Sequence, residues 1–365
     1  AAEGIPVRRF SAFLPVAGLT AEERRRAVAV GGNLFSWDLP LAMLRERGVS
    51  IVHAHTLARL GGIARLAARA LGVPLVVTLH GGVLDLPASV RADLAAPARR
   101  GIEWGKALGL LVGARRVLDD ADAIVALNPG EAHLQKRRFP GKAVHALPHG
   151  VPTAAYAVDR RDAALAAHPE LRGRRVLLVV GRIDPVKNQG WVVERVPALL
   201  ERLPDAVVVI LGPVTSAEYA ASVDDRIAAL GIGRGVVVLP AYPLLDPRLV
   251  GLYQLADVVV VPSLYETFGL VALEAWSAGT PVLCSRPAAG SDLLIPGENG
   301  EVFDLDDPPG FFRGLDAVLA DGRRMGETGR ALARASYDAG AIAGRLKGIY
   351  EEVIEAHAAR RGGRR

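Results

Sequence analysis

Short runs of Val, Ile and Leu alternate along this chain with longer stretches whose apolar positions recur every three or four residues. Such alternation is the pattern of parallel sheets covered by helices, so the fold class is α/β. In the first half it predicts strands at residues 51–55, 74–79, 123–127 and 144–148. The second half is cleaner, with strands predicted at 175–181, 206–212, 235–239, 257–262 and 281–285. Their nearly unbroken aliphatic character argues for burial on both faces. Helices are predicted between them at about 187–203, 215–230, 248–255 and 268–278.

The pattern breaks between Pro148 and His168, where Pro and Gly interrupt any period. A chain of 365 residues suits two cores better than one. Two Rossmann-like, doubly wound domains facing a cleft are therefore expected, at residues 1–155 and 165–335, with a C-terminal helix at about 338–360 packing back on the first. The opening fifty residues are less regular. Thr20-Ala-Glu-Glu23 reads as a capping box and Asp38, ahead of Pro40, as a second helix start. Gly31-Gly32 follows only the short run 27–30, so a convincing initial strand with a glycine-rich turn is not evident.

Composition narrows the function classes. Half the residues are apolar and 23% are charged, as in a folded globular protein. A surplus of five positive charges is no nucleic-acid footprint. Part of it lies in Arg360, Arg361, Arg364 and Arg365, which reads as a solvated, frayed tail, with weak peripheral contact to an anionic membrane as the alternative. The single cysteine, Cys284, excludes an internal disulfide framework and reads as a small core residue of a strand. No apolar run approaches the roughly 18 residues that span a bilayer, and the start lacks an apolar signal core. The expected location is cytoplasmic, with peripheral contact at the inner membrane face left open.

Chemistry concentrates in the second half. Gly181-Arg182 ends a predicted strand, and Lys187 is expected at the start of the next helix, where it would oppose the helix dipole unless an anion sat beside it. Only five of the 44 basic residues are Lys, so a lysine here runs against the chain's own bias. Two surface cations on a loop would be the structural alternative. Further on, Glu266-Thr-Phe-Gly-Leu270 precedes a helix whose first free N–H groups, at Phe268, Gly269 and Leu270, would form an anion site. Glu274 stands among Val271, Ala272, Ala275 and Ala278, so its carboxylate needs a partner: vicinal ribose hydroxyls, or a neighbouring Arg.

These segments, with Gly279-Thr-Pro281, resemble the donor-site motifs of glycosyltransferase family 4, the retaining group 1 enzymes of GT-B fold. The similarity runs from about Ile51 to Ile354. It implies that Arg182 and Lys187 grip a nucleotide-sugar diphosphate, that Glu274 takes the ribose and that Glu266 contacts the transferred sugar. Thr78-Leu-His80-Gly81-Gly82 is similar to the family's His-Gly segment, which implies that His80 approaches the donor sugar; a histidine bonded to nearby backbone is the alternative. Members usually open with a strand and a Gly-Gly turn, which this sequence lacks at its start.

His53 and His55 share a strand face suited to a metal, but no third ligand has helpful spacing, and the family's similar strand serves no catalytic metal. His55, with Gly81 and Gly82, is then an acceptor-side residue. The triplets Asp120 to Asp122 and Asp304 to Asp306 read as turn acids. No metal or cofactor is expected; a nucleotide-diphosphate sugar is the co-substrate and a carbohydrate, lipid or small molecule the acceptor. By the resemblance, transfer retains anomeric configuration without a protein nucleophile. The competing functions are a nucleotide-sugar epimerase, a phosphorolytic enzyme and a catalytically silent nucleotide-sugar-binding protein.

Overall fold

The computed structural model describes residues 6–29, 33–80, 101–288 and 293–362. Gly31-Gly32, Gly81, Gly82, Arg364 and Arg365 lie outside the described residues. The chain forms two compact units, Ala1–Pro148 with Gly344–Arg365, and His149–Ala343.

In the first unit, β2 (Val52–Ala54), β3 (Leu75–Leu79), β5 (Ala123–Ala126) and β6 (Ala143–Ala146) form a parallel sheet in that order. A short antiparallel pair, β1 (Val16–Ala17) with β4 (Ile102–Glu103), was not signalled by the sequence, since two residues carry no readable period. The capping box forms: Thr20 N–H donates to Glu23 and Glu23 N–H to Thr20 Oγ1, opening helix α1 (Ala21–Ala29). Helix α2 (Asp38–Arg45) starts where Asp38 predicts.

The second unit is a six-stranded parallel sheet. Its strands are β7 (Arg175–Val180), β8 (Ala206–Leu211), β9 (Val236–Leu239), β10 (Val258–Val261), β11 (Val282–Ser285) and β12 (Gly300–Phe303), ordered β12-β11-β10-β7-β8-β9. Every residue of β8, β10 and β11 is buried, which is why these strands read as continuous Val, Ile and Leu. Cys284 lies within β11, buried, and burial pushes its thiol pKa up. Strand β12 was not predicted, because only Val302 and Phe303 of its four residues are large and apolar.

Three expectations change. The helix expected at 187–203 is two, α3 (Gln189–Val193) and α4 (Val196–Arg202), because Pro197 lacks an N–H and its ring would meet the Val193 carbonyl in a continuous helix. Lys187 precedes the first of them, in a turn whose N–H donates to Asp184 O at 3.1 Å, with Asn188 left-handed at φ 56°. It therefore does not oppose a helix dipole from the first turn. The segment 148–168, expected to be irregular, holds α5 (Thr153–Ala157) and α6 (Arg161–Ala167).

The tail also departs from the frayed reading. The last helix, Ala339–Gly362, carries Arg360 to within 2.5 Å of Asp122 Oδ1, and Arg361 donates to the Gly72 carbonyl. Much of the charge that motivated a membrane contact is thus engaged. Among the described residues no helix is long and apolar enough to cross a membrane.

Strands β7 and β8 approach closely where they end. A Cβ on Gly212, at φ +158°, would stand 1.9 Å from the Gly181 carbonyl oxygen. Replacing Gly212 by Ala should therefore cost about 3 kcal/mol of stability, read as a lower denaturant midpoint at unchanged slope; a loss below about 0.5 kcal/mol would show that the backbone has room to give.

Candidate active site

Strands β7, β8 and β9 proceed outward in one direction and β10, β11 and β12 in the other. The topological switch therefore falls between the paired strands β7 and β10, and at such a point the loops leaving the carboxyl ends diverge and open a crevice. The loop after β7 carries Gly181, Arg182 and Lys187. The loop after β10 carries Glu266 and Phe268.

One ion pair bridges them. Lys187 Nζ donates to Glu266 Oε1, with both side chains mostly buried at 18% and 13% exposure. Ser263 Oγ donates to the same carboxylate oxygen at 3.0 Å. Backbone ties reinforce the join: Leu264 N–H donates to Val186 O at 2.8 Å and Asn188 Nδ2 to Pro262 O at 3.2 Å. Arg182 stands apart, 44% exposed, with Nη2 3.2 Å from Asp184 Oδ2. Asp184 is buried and also accepts from the Lys187 N–H at 3.0 Å and Thr215 Oγ1 at 3.2 Å. Sequence reasoning missed Asp184; its place one residue before Pro185, in a loop otherwise rich in cations, was the available signal.

Glycine 269 ends the second loop at φ +87° and opens helix α7 (Leu270–Ala278) with no side-chain cap. The helix begins at Leu270, so Phe268 and Gly269 precede it. Phe268 is buried against the rings of His149 and Tyr337, 5.4 and 6.2 Å away. Glu274, one turn along, finds its protein partner in a tyrosine and not in an arginine among the described residues: its Oε2 accepts from Tyr253 Oη at 2.6 Å. Burial raises its pKa above the ordinary carboxylate value, while the hydroxyls of Tyr253 and Tyr156 pull it back down.

The first unit gathers three histidines. His55 Nδ1 and His80 Nε2 are 2.9 Å apart, and the His53 ring lies 4.2 Å from that of His55. Both ring nitrogens of His53 are engaged, with Tyr350 Oη at 2.5 Å and Thr78 Oγ1 at 2.7 Å. A neutral imidazole so occupied has no lone pair to give a cation, and among the described residues no group of His, Cys, Asp or Glu is arranged to hold a metal. Burial, then the neighbouring His55 and His80, lowers the pKa of His53 to about 4. The acidic triplets serve structure: Asp120 pairs with Arg65, Arg69 and Arg116, and Asp122 accepts from Leu75 N–H at 2.9 Å. Asp304 pairs with Arg286 at 2.6 Å.

Residues 161–337 match the profile of glycosyl transferases group 1, and residues 1–150 that of the glycosyl transferase 4-like domain. The D-inositol 3-phosphate glycosyltransferase of Salinispora tropica is 31% identical over 352 residues, covering 91% of this chain and 68% of that protein. This chain belongs to the group 1 glycosyltransferases of family 4. A further relative, D-inositol 3-phosphate glycosyltransferase 1 of Catenulispora acidiphila, is 31% identical over 331 residues, covering 87% and 76%.

The glycosyltransferase also shares its fold with solved structures. Sucrose-phosphate synthase from Thermosynechococcus elongatus superposes with a TM-score of 0.65 at 23% identity, covering 87% of this chain and 76% of that one. Anabaena Alr3699/HepE, solved with UDP, gives 0.67 at 18% identity, covering 86% and 81%. At such identities the likeness concerns the GT-B fold of two Rossmann-like domains.

The histidine cluster yields a pH dependence with a defined sign. His53 is neutral when folded and binds a proton near pH 6.5 when unfolded, so the folded form is disfavoured as pH falls from about 6.5 towards 4. The denaturant midpoint of the wild type should drop over that window, and His53→Gln should flatten the drop. Equal slopes in both proteins would remove His53 as its source.

Proposed function

We propose that the second unit binds the diphosphate of a nucleotide sugar at the β7/β10 switch point and that the enzyme transfers the sugar, with retention and without a metal, to a hydroxyl of a carbohydrate acceptor. The observation that carries this reading is the Lys187–Glu266 pair, which joins the two loops of the crevice and sets a cation beside the carboxylate. Lysine has three N–H donors and Glu266 uses one, leaving others for phosphate oxygens. Arg182, exposed and held only by Asp184, supplies a planar fork for the same diphosphate. The N-terminus of α7 at Leu270, beside Gly269, contributes the positive end of its dipole.

In the reaction the bond between anomeric carbon and diphosphate oxygen breaks, and the electron pair leaves with the diphosphate. The acceptor oxygen bonds to the same face of that carbon. Its proton passes to the departing phosphate oxygen, so no protein nucleophile is consumed. Charge growing on the diphosphate is what Arg182 and Lys187 stabilise. Glu266, fixed by Lys187 and Ser263, is the acceptor group for hydroxyls of the transferred sugar, and Glu274 that for the ribose. His80 is assigned to the face of the donor sugar, and His55, 2.9 Å from it, to the acceptor side.

Uridine nucleotides are the first candidates, because the HepE structures hold UDP, glucose with UDP, and UDP-glucose. A thermal-shift panel of uridine, guanosine and adenosine diphosphates should give a rise in melting temperature with at least one of them. With the matching sugar donor, nucleotide release that depends on an added acceptor marks transfer; release without one, or sugar isomerisation, marks the competing functions. Arg182→Ala should lower turnover by about a hundredfold, and a variant with wild-type turnover would remove Arg182 from the reaction.

A further inference from the structure

We infer that Tyr253 is the positioning residue for Glu274, with Tyr156 behind it, fixing the carboxylate so that one oxygen stays free for the vicinal hydroxyls of a nucleotide ribose. This rests on the ribose role given to Glu274 above. Glu274 lies on α7, and Tyr253 on the neighbouring helix α8 of the fold's face, Pro247–Leu255. Tyr253 is fully buried, and its hydroxyl is 2.6 Å from Glu274 Oε2.

Tyr253 is itself immobilised. Its carbonyl accepts from Thr280 Oγ1 at 2.5 Å, and Thr280 follows Gly279 at the end of α7. The two helices are thus joined at both ends of a closed circuit: main chain of Tyr253 to Thr280, and hydroxyl of Tyr253 to Glu274. The Tyr156 ring, also fully buried, packs edge-on against Tyr253 at 5.8 Å. Gln254 Nε2 holds the segment carrying Tyr156 by donating to its carbonyl and to that of Val158, each at 2.8 Å. The Tyr156 hydroxyl has no hydrogen-bond partner among the described residues. It still lies near enough to Glu274 for a weak hydrogen-bonding pull that lowers the carboxyl pKa.

The choice of tyrosine has chemical content. A buried arginine would engage both carboxylate oxygens in a fork and cancel the charge. A tyrosine hydroxyl donates one proton to one oxygen, keeps the other free and leaves the anion intact. A ribose diol needs just such an acceptor. Tyr253 faces Glu274 from its helix and Tyr156 from α5; from the long helix Pro308–Ser336, Arg330 is engaged with the Ala278 carbonyl. Among the described residues Glu274 therefore ionises against burial with the hydroxyls of Tyr253 and Tyr156 for support, and losing one moves its pKa further up.

The test compares UDP with 2′-deoxy-UDP by calorimetry across pH 4.5 to 8 in the full chain, for wild type, Tyr253→Phe, Tyr156→Phe and Glu274→Ala. The wild type should prefer the ribose form about tenfold, as for a hydrogen bond to a charged group, and lose the preference at low pH as Glu274 protonates. Tyr253→Phe should reduce the preference to about threefold and shift its loss to higher pH, with affinity for 2′-deoxy-UDP unchanged. Tyr156→Phe should move the pH profile the same way by less. Glu274→Ala should show no preference at any pH. If Glu274→Ala behaves so but Tyr253→Phe keeps the wild-type preference and pH profile, Tyr253 is only a core residue and the inference fails. If the wild type shows no preference, or Glu274→Ala retains it, the ribose role of Glu274 itself fails.

Discussion

The crevice of the second unit depends on one mostly buried ion pair. Strands β7 and β10 are neighbours, but their loops leave the sheet towards opposite sides. Nothing in the sheet itself sets the distance between those loops. Lys187 and Glu266 do, because removing either would leave the other's charge mostly buried without a counter-charge, a state costing several kcal/mol. The pair is poor as a source of net stability, since desolvation offsets much of the attraction. As a constraint on geometry it is strong, and Ser263, Asn188 and the Leu264–Val186 backbone bond hold the same two loops in register.

The same tactic recurs away from the crevice. Two further buried ionisable groups are held by hydroxyls. His53 sits between Tyr350 and Thr78, and Glu274 leans on Tyr253. Hydroxyls adapt by rotating and add no charge, so they fix a side chain without deciding its protonation state. Burial then decides, pushing His53 down to about 4 and Glu274 up. Each therefore favours its neutral form more than it would in water, which leaves room for an approaching ligand to change the balance.

Much of the fold could be read in the sequence, and for a definite reason. Strands such as Ala206–Leu211 and Val258–Val261 are buried on both faces, and that burial writes itself as uninterrupted Val, Ile and Leu. Strand β12 lies at the sheet edge, where the demand is weaker and the residues mixed, so it left no signal. In the site, Arg182, Lys187 and Glu266 were visible because charges are conspicuous beside apolar strands. Two residues that hold site side chains were not. Neither Asp184 nor Tyr253 stood out: an acid before a proline is common in turns, and a tyrosine in an apolar helix does not announce where its hydroxyl points. Lys187 was placed at a helix start, which missed that Pro197 divides the helix and that Asn188 turns left-handed before it.

The two cations of the crevice are held in unequal ways, and this divides their work. Lys187 cannot leave Glu266 without stranding a mostly buried charge, so in the proposed binding mode a diphosphate would use the N–H donors that Glu266 leaves over. Arg182 is tied at 3.2 Å to the buried Asp184, but its own side chain is 44% exposed, more than twice as open to solvent as Lys187. In the proposed binding mode it would turn from Asp184 to a phosphate, and Asp184 would keep its bonds to the Lys187 N–H and Thr215. In the proposed binding mode Lys187 is thus the fixed charge against which the diphosphate would lie, and Arg182 the one that would follow charge onto the leaving group. A lysine and an arginine exchanged between these two positions would fail for opposite reasons: a guanidinium needs more space and planarity than the Glu266–Ser263 pocket gives, and an ammonium at the exposed position loses the fork that spans two phosphate oxygens.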